Sequence, residues 1–174
     1  MPKAFVLFRC ESGKDNSVIS DLKRINSVKE AHGIFGTYDV IAKLESENKD
    51  ELRMDLTRRI RKIPNIRSTL TLMTPTEDCF GKKLTADEKD VLKTYMAEAY
   101  VLIYSTKNNE LEILQHLSKI PEVIEGNIVL GYDAVMCKLV APTYNDISEI
   151  ITNKIRKIEN IKSTITLNVI PENE

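Results

Sequence analysis

The apolar positions in the first 75 residues alternate between compact runs and stripes with helical spacing. Val18, Leu22 and Ile25 fall at i, i+4 and i+7, which predicts an amphipathic helix over Ser17–Asn26. A second stripe, between Asn48 and Pro64, predicts another helix that proline ends. The compact β-favouring runs predict four strands, Ala4–Arg9, Lys29–Phe35, Tyr38–Glu45 and Ile66–Met73. The predicted order is βαββαβ, the ferredoxin-like split βαβ arrangement.

The same pattern recurs in the second half of the chain. Ile60–Leu72, IRKIPNIRSTLTL, returns 95 residues later as Ile155–Leu167, IRKIENIKSTITL, with 10 of 13 positions identical. A repeat of this length indicates two domain-sized units rather than a solenoid. The second set of predicted elements comprises two helices and four strands: Asn108–Lys119, Tyr144–Lys157, Ala99–Tyr104, Val123–Leu130, Tyr132–Val140 and Ile161–Ile170.

The repeat predicts an α+β chain of two ferredoxin-like βαββαβ units, spanning residues 1–75 and 97–174, joined by a linker over residues 76–96. Thr85 and Glu88 have the spacing of a capping box, so the linker is predicted to contain a short helix that ends near Tyr95. Both units carry Gly, Tyr and Asp at the central turn, as Gly36–Asp39 and Gly131–Asp133. We interpret the second turn as one residue shorter.

Two helices per unit cover only one face of each predicted sheet, so the other face needs a partner. We expect it to pack sheet to sheet against another unit, in the dimeric α/β-barrel manner. The alternation in the last strand of the first unit is interpreted as placing Ile66, Ser68, Leu70 and Leu72 toward the helices and Arg67, Thr69, Thr71 and Met73 outward. In the second unit the inward residues are Ile161, Ser163, Ile165 and Leu167, and the outward ones are Lys162, Thr164, Thr166 and Asn168. The alternative is that these threonines are β-formers on a solvated face.

Composition and charge narrow the functional classes. The chain is 42% hydrophobic and 29% charged, with net charge −1 and no run long enough for a membrane span, so we expect a cytoplasmic protein. Near-neutral charge gives no footprint for nonspecific phosphate binding. The basic cluster Arg58–Lys62 is typical of the last turn of a helix, with nucleic-acid contact as the alternative.

The cysteines do not form a motif. Cys10, Cys79 and Cys137 lie far apart, and the two histidines, His32 and His116, are not near them in sequence. Zinc and redox motifs need closely spaced ligands, so we predict no metal and no cofactor, and we expect Cys10 and Cys137 to be buried free thiols.

The turn and last strand resemble a known family. Gly36–Lys43, GTYDVIAK, and Ile66–Leu72, IRSTLTL, are similar to the effector-binding (RAM) domain of the Lrp/AsnC family. The resemblance covers nearly the whole chain, twice, apart from the linker. Family members usually carry a helix-turn-helix domain that reads DNA, and we interpret this chain as a tandem version without it. The resemblance implies sheet-to-sheet dimers, higher homo-oligomers and a possible partner in a full-length Lrp/AsnC-type regulator.

The same resemblance implies a site for an amino acid or similar small metabolite. Backbone N–H groups at a glycine turn can hold a carboxylate, Asp39 can pair with an α-ammonium, and threonine hydroxyls add directional bonds. If the second turn is shortened, its pocket is expected to be lost. The implied ligand-binding residues are Gly36, Thr37, Tyr38, Asp39, Thr69, Thr71, Gly131, Tyr132, Asp133, Thr164 and Thr166.

Two other functions share this element order. An RNA-recognition domain is also βαββαβ, but it needs an aromatic RNP1-like run that neither Tyr38–Glu45 nor Tyr132–Val140 supplies. An enzyme on a dimeric ferredoxin-like scaffold needs a catalytic pair or phosphate loop, and the repeats share none. We therefore predict a non-enzymatic effector-binding and oligomerisation module that regulates transcription or a partner protein.

Overall fold

The structure, a computed structural model, describes residues 1–82 and 97–171. It divides into two units, one formed by Met1–Thr76 together with the chain end from Ile170, and one formed by Glu77–Val169. We call these unit 1 and unit 2. The predicted linker helix between Thr85 and Tyr95 lies outside the described residues.

Unit 1 is a four-stranded antiparallel sheet with two helical segments. The strand order across the sheet is β2-β3-β1-β4, so the first and last strands of the unit are neighbours. The second helix, α2, runs on into a π-helical turn over Asp55–Arg59 and a 3₁₀ turn over Ile60–Lys62. In chain order the elements are β1 (Lys3–Cys10), α1 (Asp15–Leu22), β2 (Val28–Gly33), β3 (Val40–Glu45), α2 (Lys49–Met54) and β4 (Ile66–Thr74).

Unit 2 repeats this topology with an additional strand. Its sheet has the order β5-β7-β8-β6-β9, and its second helix, α4, also continues into a π-helical turn, over Ile151–Ile155. The prediction of an α+β chain with two ferredoxin-like units is confirmed. The elements are β5 (Cys79–Gly81), β6 (Ala97–Ser105), α3 (Glu110–Ser118), β7 (Val123–Val129), β8 (Ala134–Ala141), α4 (Tyr144–Ile150) and β9 (Ile161–Asn168).

The pattern of apolar positions does not predict strand β5. Cys79–Gly81 pairs antiparallel with β7, where a linker was expected. Phe80 fits there because β7 carries a glycine opposite it: a Cβ on Gly126 would lie 2.4 Å from the Phe80 ring. In unit 1 the position equivalent to Gly126 is Ala31. Comparing the two repeats therefore gives no indication that β7 has an extra strand beside it.

The identical stretch of the repeat encodes an identical turn. Asn65 and Asn160 each follow the second helix and each adopt φ 71°, in the left-handed region that asparagine tolerates better than most residues. The Asn65 carbonyl accepts the Glu11 N–H at 2.8 Å, and the Asn160 carbonyl accepts the Thr106 N–H at 2.9 Å. This turn ties the start of the last strand to the end of the first in both units, whether proline or glutamate precedes the asparagine.

The helix side of each sheet forms a separate apolar core. In unit 1, Val6 and Phe8 of β1 pack with Val18 and Leu22 of α1 and with Leu52 of α2. In unit 2 the corresponding core is larger and includes Val101, Ile103, Ile113, Leu117, Val135, Ile147 and Ile155.

Asn48 begins α2 as an N-cap, because its side chain accepts the N–H groups of Asp50 and Glu51.

Ile66 and Ile161 pack against the helix-side cores as predicted, but the predicted facing of the residues after them is wrong, because the register shifts at a bulge. Directly paired residues of antiparallel strands share a face, and Thr69 and Thr71 pair with Phe8 and Val6, whose side chains contact the helices. Leu70 and Leu72 pair instead with Leu7 and Phe5, on the opposite face. Unit 2 repeats this arrangement, with Thr164 opposite Ile103 and Thr166 opposite Val101.

The error has a physical cause. Both faces of β1 are apolar: Phe5 and Leu7 are buried as completely as Val6 and Phe8. Alternation along β4 therefore gives the period of the strand but not the side on which the helices lie. β4 is also the edge strand, so Thr69 is exposed even though it shares the face that the helices cover.

Candidate functional site

Both main-chain groups of Asp39 hold the central turn of unit 1, one to β1 and one across the hairpin. The Asp39 N–H donates to the Phe8 carbonyl at 2.8 Å, and the Asp39 carbonyl accepts the Ile34 N–H at 2.9 Å. The side chain adds a third bond, because Asp39 Oδ2 accepts the Cys10 N–H at 2.8 Å. Asp39 thus holds the turn against the end of β1. One of its two carboxylate oxygens is therefore already hydrogen-bonded within the protein, although Asp39 was predicted to bind the ligand.

The tip of this turn is open. Gly36 adopts φ 121°, a conformation that residues with a side chain rarely adopt, and no atom lies within 4 Å of the place where its Cβ would be. Gly36 and Thr37 are exposed, and Tyr38 is half-buried. The backbone around Gly36 can therefore be approached closely by a small ligand.

A cation that the sequence analysis missed lies beside this turn. The Arg9 guanidinium sits 5.2 Å from the centre of the Tyr38 ring, and Arg9 itself is exposed. Such a position favours a cation–π contact and leaves the guanidinium able to receive a carboxylate. The signal was present in the sequence, since Arg9 ends the first strand, but only the sheet order shows that β1 lies next to the turn.

The turn of unit 2 is not shortened, and the interpretation of a one-residue deletion is wrong. Strand pairs before and after the two turns differ by the same 95 positions: Gly33 opposite Val40 in unit 1 corresponds to Ile128 opposite Val135 in unit 2. Asp39 therefore corresponds to Ala134, not to Asp133. Gly, Tyr and Asp are common turn residues, and their recurrence here suggested an alignment that the strand pairing does not support.

Asp133 consequently plays a different role from Asp39. It adopts φ 48°, and its main-chain carbonyl accepts both the Ser105 N–H at 2.7 Å and the Ser105 hydroxyl at 3.1 Å. Its side chain is exposed, as are Gly131 and Tyr132. Tyr104 occupies the position of Arg9, so unit 2 offers no equivalent cation beside its turn.

The threonines of the last strands do not join the turns. In unit 1, β1 separates β3 from β4, which places Thr69 and Thr71 on a strand two inter-strand spacings, roughly 9–10 Å, from the strand that begins at the turn. In unit 2, Thr164 accepts a hydrogen bond from Arg156 Nε at 3.3 Å. The structure thus brings Gly36, Thr37, Tyr38 and Asp39 together and leaves the threonines apart.

Three acidic side chains converge where β1, α1 and β3 meet. The ligand atoms of Cys10, Asp15 and Asp39 all lie within 4.8 Å of one another. Burial, followed by the charges of Asp15 and Asp39, raises the pKa of the Cys10 thiol to about 11. Burial, followed by the charge of Asp39, also raises the pKa of Asp15. We call this group the Cys10–Asp15–Asp39 cluster.

A groove of about 650 Å³ runs between α1 and β2 in unit 1 and reaches the cluster at Asp15. Its charged and polar lining comes from α1 and β2, and its apolar lining includes Ile19 and Ile170. The Ile170 N–H donates to the Gly33 carbonyl at 2.8 Å, so Ile170 lies at the edge of β2. The predicted free thiols are confirmed: Cys10 and Cys137 are buried and Cys79 is exposed.

Comparisons with known proteins agree with the repeat. A family model described as the Lrp/AsnC ligand binding domain matches residues 3–75 and again residues 98–172. The HTH-type transcriptional regulator FL11 of Pyrococcus horikoshii is 32% identical over 72 residues, covering 40% of this chain and 46% of the regulator. Its counterpart from Pyrococcus abyssi is 31% identical over 70 residues, with the same coverage. The chain thus spans about half the length of these curated relatives.

Among solved structures, the siroheme decarboxylase NirDL aligns with 97% of this chain and 71% of its own, at a TM-score of 0.68 and 11% identity. At that identity the likeness concerns the fold alone. It shows that a pair of such units occurs in another solved protein. In the part of the chain that the structure describes, every helix is too short or too polar to cross a bilayer.

Proposed function

Because the chain belongs to the Lrp/AsnC ligand-binding domain family, we propose that it is a non-enzymatic module that binds an amino-acid-like effector and changes its assembly in response. The regulated target is transcription or a partner protein, and the chain itself makes no DNA contact in this proposal. Its partners are further copies of itself and a full-length regulator of the same family. The two transcriptional regulators support the assignment to regulation, since they are similar to this chain over about half of their own length.

The observation that carries the proposal is the turn of unit 1. An open glycine turn offers backbone N–H groups, which suit a carboxylate, and the Arg9 guanidinium beside it supplies the opposite charge. Tyr38 gives an aromatic surface for the remainder of the effector. A free α-carboxylate is the ligand group that this combination fits best.

Asp39 enters the proposal as a positioning residue. Its carboxylate accepts the Cys10 N–H and so fixes the turn against β1. Unit 2 has Ala134 at this position and Tyr104 in place of Arg9, so neither the anchor nor the cation is present there. We therefore propose one effector site per chain, in unit 1.

An effector can alter assembly only if it binds two assembly states with different affinity. Light scattering coupled to gel filtration, with and without each amino acid at saturating concentration, measures that difference. A change in mass with one effector and none with the others supports the assembly part of the proposal. An unchanged mass with an amino acid that binds in calorimetry would contradict it.

Calorimetric titration of a set of amino acids tests the site. For an amino acid that binds, Arg9→Gln is expected to weaken affinity roughly 10- to 100-fold, because a hydrogen bond to a charged group contributes about 1.5–3 kcal/mol. Arg24→Gln is the matched control, since Arg24 is an exposed cation of the same unit with a side chain 80% exposed. A second pair compares Gly36→Ala with Gly131→Ala, because both glycines adopt positive φ.

The proposal predicts that only Arg9→Gln and Gly36→Ala weaken binding. Equal losses in Gly36→Ala and Gly131→Ala would contradict the assignment to unit 1. Failure of every amino acid to bind or to raise the thermal midpoint would overturn the effector proposal itself.

A further inference from the structure

We propose that Cys10, Asp15 and Asp39 form a binding site for a divalent cation of the zinc type, one that accepts both thiolate and carboxylate ligands. This site was not expected from the sequence, because its members come from the end of β1, the start of α1 and the residue before β3. The inference is independent of the effector proposal.

The spacing of the three ligand atoms suits one small ion. They lie within 4.8 Å of one another, and a tetrahedral zinc with one sulfur and one oxygen ligand holds those two atoms roughly 3.6 Å apart. A closure of about 1 Å therefore completes the site, with a fourth position left for water. Because Asp39 uses Oδ2 for the Cys10 N–H, its other oxygen remains for the cation.

The Cys10 thiol provides an observation separate from the spacing. Cys10 is buried in unit 1, with 6% of the residue exposed, and its sulfur lies within 4.8 Å of a carboxylate oxygen of Asp15 and of Asp39. Within residues 1–82 and 97–171, the thiol has no hydrogen-bond partner, and neither Asp15 nor Asp39 forms an ion pair. One sulfur and two carboxylate groups within reach of one another form a donor set that a thiophilic metal can use.

The site is accessible, and it is confined to one unit. Asp15 lines the groove between α1 and β2, which gives an ion a path from solvent. The equivalent positions in unit 2 are Ser105, Glu110 and Ala134, which leave one carboxylate and no thiol. One cation per chain is expected, and it would tie the effector-binding turn to both β1 and α1.

Titration with Co²⁺ under reducing conditions tests the site, because a cobalt–thiolate bond gives a near-ultraviolet charge-transfer band that carboxylates alone do not give. The expected result is one equivalent bound with this band, displaced by Zn²⁺. Cys10→Ser is expected to remove the band, whereas Cys79→Ser, which changes the exposed thiol, is expected to retain it. Asp15→Asn is expected to weaken binding more than about tenfold while leaving the fold intact, since Asp15 is only half-buried.

Circular dichroism of each variant without metal separates loss of a ligand from loss of the fold. If Cys10→Ser is unfolded, the Asp15→Asn titration decides alone. Absence of a stoichiometric thiolate band in the wild-type chain, or an equal band in folded Cys10→Ser, overturns the proposal. Because these titrations contain no amino acid, their failure leaves the effector proposal untouched, and the Arg9→Gln and Gly36→Ala titrations leave the cation site untouched.

Discussion

Each unit pairs an acidic side chain with a basic one at its second helix, but the acid lies on that helix in unit 1 and outside it in unit 2. In unit 1 the acid is Asp55 on the helix, fully buried, which accepts the Ser27 hydroxyl and pairs with Arg59. In unit 2 the acid is Glu122, at the position of Ser27, and it pairs with Lys154 at 2.7 Å. Ile150 occupies the place of Asp55.

The two units thus stabilise the same helix with different side chains, and we expect the contributions to the free energy of unfolding to differ. The unit 1 acid cannot be removed without leaving the buried Ser27 hydroxyl unpaired, and unpaired buried groups are costly. The unit 2 pair is partly exposed, with side-chain exposures of 46% for Lys154 and 29% for Glu122. Exposed ion pairs contribute little. We therefore expect unit 1 to depend on its anchor more than unit 2 does.

The largest effect is expected for Asp55→Ala, which should lower the free energy of unfolding by about 1–3 kcal/mol because Ser27 loses its acceptor. Asp55→Asn, which keeps an acceptor oxygen, should cost less. Urea denaturation measures both, with Asp50→Ala as the control, since the Asp50 side chain is 86% exposed. Equal stability of Asp55→Ala and Asp50→Ala would show that the buried acid is not an anchor.

A second contrast concerns β5, which has no counterpart in unit 1 among residues 1–82 and 97–171. Gly126→Ala is expected to destabilise unit 2 by about 1–3 kcal/mol, because the new Cβ would lie 2.4 Å from the Phe80 ring and 2.9 Å from Leu114. Unit 1 already carries alanine there, at Ala31. In a Phe80→Ala background the same substitution should cost less, and denaturation of the four variants gives the coupling energy. Additive effects would mean that Phe80 does not press on this glycine.

The smallest effect, with a defined pH dependence, is expected for Lys154→Met. Burial raises the pKa of Glu122, but the Lys154 hydrogen bond, a backbone hydrogen bond and the charges of Lys154 and Lys82 together bring that pKa below its ordinary value of 4.5. A depressed carboxyl pKa stabilises the fold above the unfolded value, and this stabilisation is lost as the pH falls through the folded value. The variant should be less stable by about 0–1 kcal/mol at neutral pH.

That difference should shrink only below pH 4.5 and vanish once the pH has fallen through the lowered pKa of folded Glu122, where the carboxyl is protonated. Denaturation curves of the variant and the wild-type chain between pH 7 and pH 3 check this (a range that brackets the usual carboxyl titration). A gap of constant size across the range would show that Lys154 acts through packing rather than through its charge.

The same contrast explains which features the sequence could predict. The repeat at Ile60–Leu72 specified the element order and the turn at Asn65, because both depend on local spacing and on one tolerant residue. The facing of β4 could not be predicted, because β1 is apolar on both faces. Strand β5 could not be predicted either, since its support is the space above a single glycine.

At the candidate site, the sequence identified Gly36 and Asp39. It also suggested that Asp133 is the counterpart of Asp39, whereas the strand register places Ala134 at that position. Arg9 and Asp15 were missed because nothing in their local sequence connects them to a turn about 25 residues away. They become neighbours only through the sheet order β2-β3-β1-β4, which follows from the βαββαβ topology. Listing the residues at that end of the sheet would have brought Arg9, Cys10 and Asp39 together.

The hydrogen bond from Ile170 to Gly33 has a practical consequence for dissecting the protein. A gene fragment cut at the boundary of the duplication, after Thr76, would encode a first half that lacks its final piece of backbone. The Gly33 carbonyl at the β2 edge would then lose its partner and be open to pairing with another molecule. A separate first half should therefore carry the residues from Ile170 onward; without them we expect it to aggregate more readily.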